Sequence, residues 1–309
     1  MLVPEPLCDP ALAAHLAEVR AFNARLPRED ARVKWTPAVI ARARDLTQVM
    51  GGVFATPAIA GFENREIPGA RGPIRLRTFV PDEVRAVYFD VHGGGFFMGA
   101  PEMDDRDNAE IARRAKCAIV SVDYRLAPEH AYPAGPDDCE TAALWLLANA
   151  QREFGTSRLA IGGGSAGANL AATTLVRLRD RHQAASRFCA ANLVFGVYDV
   201  SGTPSQRRGG VQSFRDLYLP KIFGDDRKHP DISPLYADLT GLPPALFTVG
   251  TSDYLYDDSL FMHARWRAAG NASELAIYPE CVHGFTIFPS AMARAANARI
   301  YEWLAKKVG

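Results

Sequence analysis

The chain has 309 residues, in which 35 Lys and Arg balance 35 Asp and Glu, with 48% hydrophobic and 23% charged residues. That balance argues against a nucleic-acid surface, which needs clustered positive charge to displace counterions, and the apolar content excludes a disordered or collagen-like chain. No run approaches the roughly 18 to 20 apolar residues that a membrane span requires.

The opening segment, MLVPEPLCDP, lacks the basic start and apolar stretch of a secretory signal. Five cysteines (Cys8, Cys117, Cys139, Cys189 and Cys281) form no CxxC pair, and an odd number cannot all pair within the chain. The expectation is a reduced, soluble, cytoplasmic protein whose thiols are small buried apolar groups.

Residues 10–25 and 37–50 read as helices that precede the first strand. From about residue 62, strand-like runs then alternate with helical ones, the pattern of an α/β protein with a mostly parallel sheet. Eight strands are predicted, over 62–67, 74–80, 86–91, 118–122, 158–162, 191–195, 245–249 and 274–278. In the second, Arg75, Arg77 and Phe79 alternate with Ile74, Leu76 and Thr78, so it reads as a half-exposed edge. Runs 118–122 and 245–249 are almost wholly apolar, as strands covered on both faces should be.

Helices are expected over 137–149, where Asp137 and Glu140 resemble a capping box, and over 166–181, 256–269 and 290–307. The last has an apolar stripe of Met292, Ala296, Ile300 and Leu304 and ends in Lys306 and Lys307, which suits the C-terminal dipole. Residues 199–244 are rich in Gly, Pro and charge and break the rhythm. The organisation expected is a helical cap from residues 1–50 and 199–234 over a catalytic domain of residues 51–198 and 235–309.

The segment RLAIGGGSAGANLA (158–171) satisfies two motifs. Gly162, Gly164 and Gly167 match GxGxxG, but the acidic residue that a dinucleotide site needs about 20 positions on, at the end of a following strand, is missing. Residues 163–167 also spell GxSxG, in which a serine stands on a sharp strand-to-helix turn, its hydroxyl aimed at the helix N-terminus. The second motif, His92-Gly93-Gly94-Gly95-Phe96, directly follows the third strand. Consecutive glycines let a backbone turn its N–H groups toward an oxygen, so Gly93 and Gly94 are candidate oxyanion donors together with Ala166, the residue after Ser165.

A serine hydroxyl needs a base to take its proton. Among the histidines, His15 and His182 lie in polar helical runs and read as solvated, while His229 and His263 fall in the cap and on a helix. His92 belongs to the glycine loop and braces it. His283, in YPECVHGF after the eighth strand, is the candidate base. The orienting acid is sought in GTSDYLYDD, after the seventh strand, where Asp253 stands nearest the strand end. Asp257 and Asp258 read as first-turn helix residues stabilised by the dipole.

HGGGFFMGAPEMDD (92–105), VSVDYRLAPEHAYPA (120–134), GGSAGANLA (163–171), SPLYADLTGLPPALFTVGTSDYL (233–255) and YPECVHGF (278–285) resemble the hormone-sensitive-lipase family of α/β-hydrolases, the bacterial family IV esterases. The resemblance implies an α/β-hydrolase fold with an eight-stranded, mostly parallel sheet and a helical cap. It assigns Ser165 as nucleophile, His283 as base, Asp253 as its orienter, and Gly93, Gly94 and Ala166 as the oxyanion hole. Phe96, Phe97 and Tyr198 are candidate substrate contacts. Two positions depart from the family pattern: Gly164, where many members carry aspartate, and Tyr254, where proline or valine is usual.

Asp104, Asp105 and Asp107 lack the spacing of a calcium loop and are expected to start a helix, and Cys281 lacks a glycine elbow and reads as a buried thiol. No metal and no cofactor are expected. The activity implied is carboxylic ester hydrolysis of small soluble esters with short to medium acyl chains, through an acyl-enzyme. An amide or formamide hydrolase with the same triad, or a non-catalytic receptor on the same fold, are the alternatives. The partner expected is the small-molecule ester, with neither nucleic acid nor membrane, and a homodimer is left open.

Overall fold

The computed structural model describes residues 8–26, 35–53, 59–208 and 213–309. Among them an eight-stranded sheet runs in the order β1-β2-β4-β3-β5-β6-β7-β8. The strands are β1 (Phe62–Ile67), β2 (Ile74–Phe79), β3 (Ala86–Val91), β4 (Cys117–Val122), β5 (Leu159–Gly164), β6 (Phe188–Val194), β7 (Ala245–Gly250) and β8 (Ser273–Tyr278). Pairing is antiparallel for β1 with β2 and β2 with β4, and parallel from β4 through β8. All eight predicted strands are present.

β3, β4 and β7 are buried along their whole length, as their apolar runs require of strands covered on both faces. One face carries Phe89 and Leu193 under α4 (Ala134–Phe154), α5 (Ala166–His182) and α8 (Tyr256–Ala268). The other carries Tyr88 and Ala276 under α3 (Asp105–Ala115) and α9 (Ala291–Val308), joined there by Leu12 and Val19 of the N-terminal segment. At roughly 1.5 to 3 kcal/mol for each fully buried large apolar side chain, these two layers dominate the stability of the sheet.

β2 shows the expected alternation but is not an edge, since it lies between β1 and β4. Its two arginines are covered by ion pairs: Arg75 with Glu102 and Asp123, and Arg77 with Asp105. Charge on an internal strand mimics an edge when the acids that cover it come from segments distant in sequence. The fourth helix also corrects its forecast. It starts at Ala134, ahead of the presumed Asp137 box, because Pro136 falls in the first turn, where its missing N–H costs nothing. Asp137 and Glu140 instead accept from the buried Arg177 at 2.9 and 3.0 Å.

The segments outside the alternation are helical. A 3-10 turn (Pro10–His15) leads into α1 (Leu16–Asn23), and α2 (Pro37–Val53) follows. Between β6 and β7 come the short α6 (Pro204–Arg208) and α7 (Ser213–Tyr218). Residues 1–7, 27–34 and 209–212 of the two forecast cap ranges lie outside the described residues. None of the described helices is long and apolar enough to cross a membrane.

Candidate active site

Parallel strands bring their C-terminal ends to one edge, and the motifs found in the sequence sit on the loops there. β3 runs into His92 and the glycine loop, β5 into Ser165, β7 into Asp253, and β8 into the loop bearing His283.

Ser165 stands alone between β5 and α5 with φ 58° and ψ −119°, a backbone conformation that an L-residue adopts at a cost of order 1–3 kcal/mol. The strain is offset by tight neighbours. The Ser165 amide donates to Val194 O at 2.9 Å, and a Cβ on Gly163 or Gly167 would stand 2.3 or 1.9 Å from Val91 O. Glycine is therefore required on both sides of the turn. Gly164 differs, because a Cβ there would meet only the Phe195 ring at 3.3 Å.

The turn aims the Ser165 hydroxyl at an imidazole. His283 Nε2 lies 3.0 Å from Ser165 Oγ, and His283 Nδ1 lies 3.1 and 3.0 Å from the two carboxylate oxygens of Asp253. A carboxylate only accepts, so Nδ1 carries the proton and Nε2 presents its lone pair to the hydroxyl. Asp253 is 3% exposed, and its Oδ1 also accepts the Leu255 amide at 2.7 Å. The imidazole is held on its faces as well: the Phe195 ring meets it edge-on at 4.9 Å and the Tyr254 ring lies at 4.6 Å. Tyr254, one of the two departures, thus packs on the base.

The loops bearing acid and base are joined to each other. The Glu280 amide donates to Thr251 Oγ1 at 2.8 Å and the Ser252 amide to Cys281 O at 3.0 Å. Gly250 makes room for this, since a Cβ on it would come 2.1 Å from Cys281 O. Cys281 itself is buried, and burial pushes its thiol up to about 12, so it is inert as a nucleophile at neutral pH.

The glycine loop closes the other side. A Cβ on Gly93 would lie 3.0 Å from Gly164 O and 3.7 Å from Ser165 Cβ, so its backbone runs directly against the serine turn. Gly94, at φ 117°, lets the loop fold so that its carbonyl accepts from Phe97 and Met98, at 3.2 and 2.9 Å. Ala166 opens α5, and its amide is among the helix's unpaired N-terminal donors. His92 is fully buried, stacked on Tyr124, and burial lowers its pKa to about 4, so it is neutral. Its Nδ1 donates to Gly93 O at 2.8 Å. It braces the loop, as expected.

The three remaining candidates are buried. Phe96 stacks on Tyr218 at 4.0 Å and Phe97 meets Trp35 edge-on at 4.7 Å, so both lie between the glycine loop and the helical segments. Tyr198 is in the core, fully buried and edge-on to Phe247 at 5.9 Å.

Several residues around the site and along the helices that carry it were not foreseen. Asp258 does not sit free in a first helical turn. Its carboxylate is fully buried and accepts from the Tyr198 and Asp199 amides, Thr203 Oγ1 and Gln206 Nε2 at 2.6 to 2.9 Å, anchoring the insertion after β6. Arg44 of α2 donates to Phe97 O at 2.8 Å and Ala127 O at 2.9 Å behind the glycine loop. His182, expected to be solvated, pairs with Glu140 at 2.9 Å. No local pattern marks these residues, because each meets a partner tens to a hundred positions away. No group of His, Cys, Asp and Glu able to hold a metal ion occurs among the described residues.

The profile of a family described as alpha/beta hydrolase fold matches residues 87–287. The carboxylesterase NlhH of Mycobacterium tuberculosis is 35% identical over 241 residues, covering 73% of this chain and 75% of that protein. An esterase of the archaeon Pyrobaculum calidifontis superimposes with a TM-score of 0.81 at 27% identity, over 97% of this chain and 98% of its own. A hormone-sensitive lipase from a metagenome library gives a TM-score of 0.77 at 26% identity, over 95% and 97% of the two chains.

Proposed function

The chain belongs to the α/β-hydrolase fold family, in the branch of hormone-sensitive-lipase-like esterases, and from that premise we propose that it hydrolyses carboxylic esters through Ser165, His283 and Asp253. The single observation that carries this reading is the unbroken hydrogen-bonded line from Ser165 Oγ through the imidazole of His283 to the Asp253 carboxylate.

Ser165 Oγ attacks the ester carbonyl carbon while His283 Nε2 takes its proton. Asp253 holds the imidazole in the productive tautomer and stabilises the imidazolium that forms. Negative charge gathers on the former carbonyl oxygen, where the N–H groups of Gly93, Gly94 and Ala166 receive it. Donors fixed in place beforehand need no reorganisation as that charge develops, and one such donor contributes about 3 to 4 kcal/mol to lowering the barrier. Collapse of the intermediate expels the alcohol, which takes its proton from His283, and leaves an acyl group on Ser165. Water, deprotonated by His283, then attacks the acyl carbon and releases the acid.

We read the helical segments within residues 1–50 and 199–234 as a cap over this edge of the sheet, with Phe96 and Phe97, buried against Tyr218 and Trp35, joining it to the glycine loop. The insertion helices are short, five and six residues, with Phe223 the exposed aromatic beside them. Among the described residues these helices present no broad apolar face of the kind needed to settle on an oil surface, which supports small esters with short to medium acyl chains as substrates. The test is hydrolysis of a p-nitrophenyl ester series from acetate to decanoate by the wild type and by Ser165→Ala. Turnover favouring acetate and butyrate, abolished in the variant, supports the reading; a folded Ser165→Ala protein that retains turnover refutes it.

A further inference from the structure

The segment from Glu280 to Ala291, which bears His283, is gripped from outside at both ends by one short helix. At the near end, Arg20 of α1 donates from Nε and Nη2 to the two carboxylate oxygens of Glu280, at 2.8 and 2.5 Å, and Asn23 Nδ2 donates to Glu280 O at 2.8 Å. At the far end the Phe22 ring lies 4.5 Å from Phe288, and Glu18 accepts the Ala291 amide, at the start of α9, at 2.8 Å. Glu280 is the joint. Its amide binds Thr251 in the acid-bearing loop, its carbonyl and carboxylate bind α1, and its chain continues through Cys281 to His283. It also holds φ 57°, a left-handed conformation that favours glycine. A residue with a side chain at such a position is tolerated only where the surroundings over-determine it.

We propose that Glu280 is a positioning residue, and that its ion pair with Arg20 lets α1 hold the base-bearing loop so that His283 stays aligned between Ser165 and Asp253. An exposed ion pair alone contributes little to stability. Its effect here is geometric, because catalysis by proton transfer is sensitive to displacements far smaller than those that unfold a loop. The inference rests on His283 being the base.

The experiment compares Arg20→Ala, Glu280→Gln, Glu280→Gly and the charge-exchanged pair Arg20→Glu with Glu280→Arg, in the full chain. It measures kcat and KM for p-nitrophenyl butyrate, the rate of modification by a fluorophosphonate, and Tm. The expected result is a fall in kcat and in modification rate of about threefold to tenfold in each single variant, with KM within about twofold and Tm little changed. The exchanged pair recovers most of the loss. Arg113→Ala, which removes a comparable exposed pair with Glu110 on α3, leaves the rates unaltered.

Glu280→Gly separates this role from a conformational one. Glycine relieves the left-handed strain, so if only backbone shape mattered the variant would equal or exceed the wild type in both Tm and kcat. The proposal expects Tm to hold while kcat falls. Single variants with wild-type kcat, or losses that the exchanged pair does not restore, overturn it. If His283→Ala itself retained turnover, the underlying functional reading would fail instead, which keeps the two failures distinguishable.

Discussion

Gly167 packs against Val91 so closely that a Cβ on it would stand 1.9 Å from the Val91 carbonyl oxygen. The contact joins the start of α5 to the end of β3, and through β3 to the glycine loop, so it couples the position of the nucleophile to that of the proposed oxyanion donors. Gly167→Ala is expected to cost more than about 3 kcal/mol and to yield little folded protein, because backbone rather than a flexible side chain must move. Gly164→Ala meets only the Phe195 ring and should fold, with activity within about threefold of the wild type. Thermal denaturation and esterase assay of the two variants together check the contrast.

Asp253→Asn keeps the size of the acid and changes its chemistry. The amide can donate to Nδ1, which moves the imidazole proton to Nε2 and turns the lone pair away from Ser165. A fall in kcat of about 10³- to 10⁴-fold with near-native Tm is expected at neutral pH. Steady-state kinetics beside a melting curve tests this, and a loss below about tenfold would contradict it.

Asp258→Ala would leave four buried donors without their acceptor. The expected loss is about 2 to 5 kcal/mol, with earlier hydrogen exchange in residues 198–206 than in α8 itself. Asp257, next in line, accepts the Ser205 amide at 2.7 Å and ties the same insertion, so the double variant should lose less than the sum of the singles.

Asp90 lies on β3 just before the glycine loop, 4% exposed, with Ser121 Oγ at 2.5 Å and Asn108 Nδ2 at 2.9 Å from its carboxylate. Burial pushes its carboxyl up to about 6. The folded state therefore binds its proton more tightly than the unfolded chain. The resulting stabilisation is complete below about pH 4 and is lost as pH rises toward 6. Asp90→Asn keeps the size without titrating. The stability of the wild type relative to this variant should fall by on the order of 2 kcal/mol between pH 4 and about 7. Denaturant titrations across that range measure it, and a flat difference would contradict it.

The strands and the site motifs were legible because they rest on local rules. Apolar runs such as 118–122 announce strands buried on both faces, and glycines flanking Ser165 announce a turn in which a Cβ would meet backbone. Chain order and elimination among the other histidines led from Ser165 to Asp253 and His283, since each follows a parallel strand and such strands end at one edge. What escaped was set by partners distant in sequence. Arg75 and Arg77 suggested an edge until Glu102, Asp105 and Asp123 covered them. Asp137 and Glu140 looked like a cap until Arg177 claimed them. Asp258 looked like a first-turn helix residue stabilised by the dipole until the insertion after β6 folded onto it. A charged residue reads as exposed from sequence whenever its counter-charge is remote, so these errors share one cause.

In the proposed reaction Ser165 Oγ, activated by His283, is the nucleophile that attacks the ester carbonyl carbon. The most direct measurement is reaction with a fluorophosphonate followed by peptide mass spectrometry, in the wild type and in His283→Ala. A single adduct on Ser165 that forms in step with loss of esterase activity, and at least about a hundredfold more slowly in the variant, is the result expected. An adduct on another residue, or full esterase activity in protein carrying the adduct on Ser165, would contradict it.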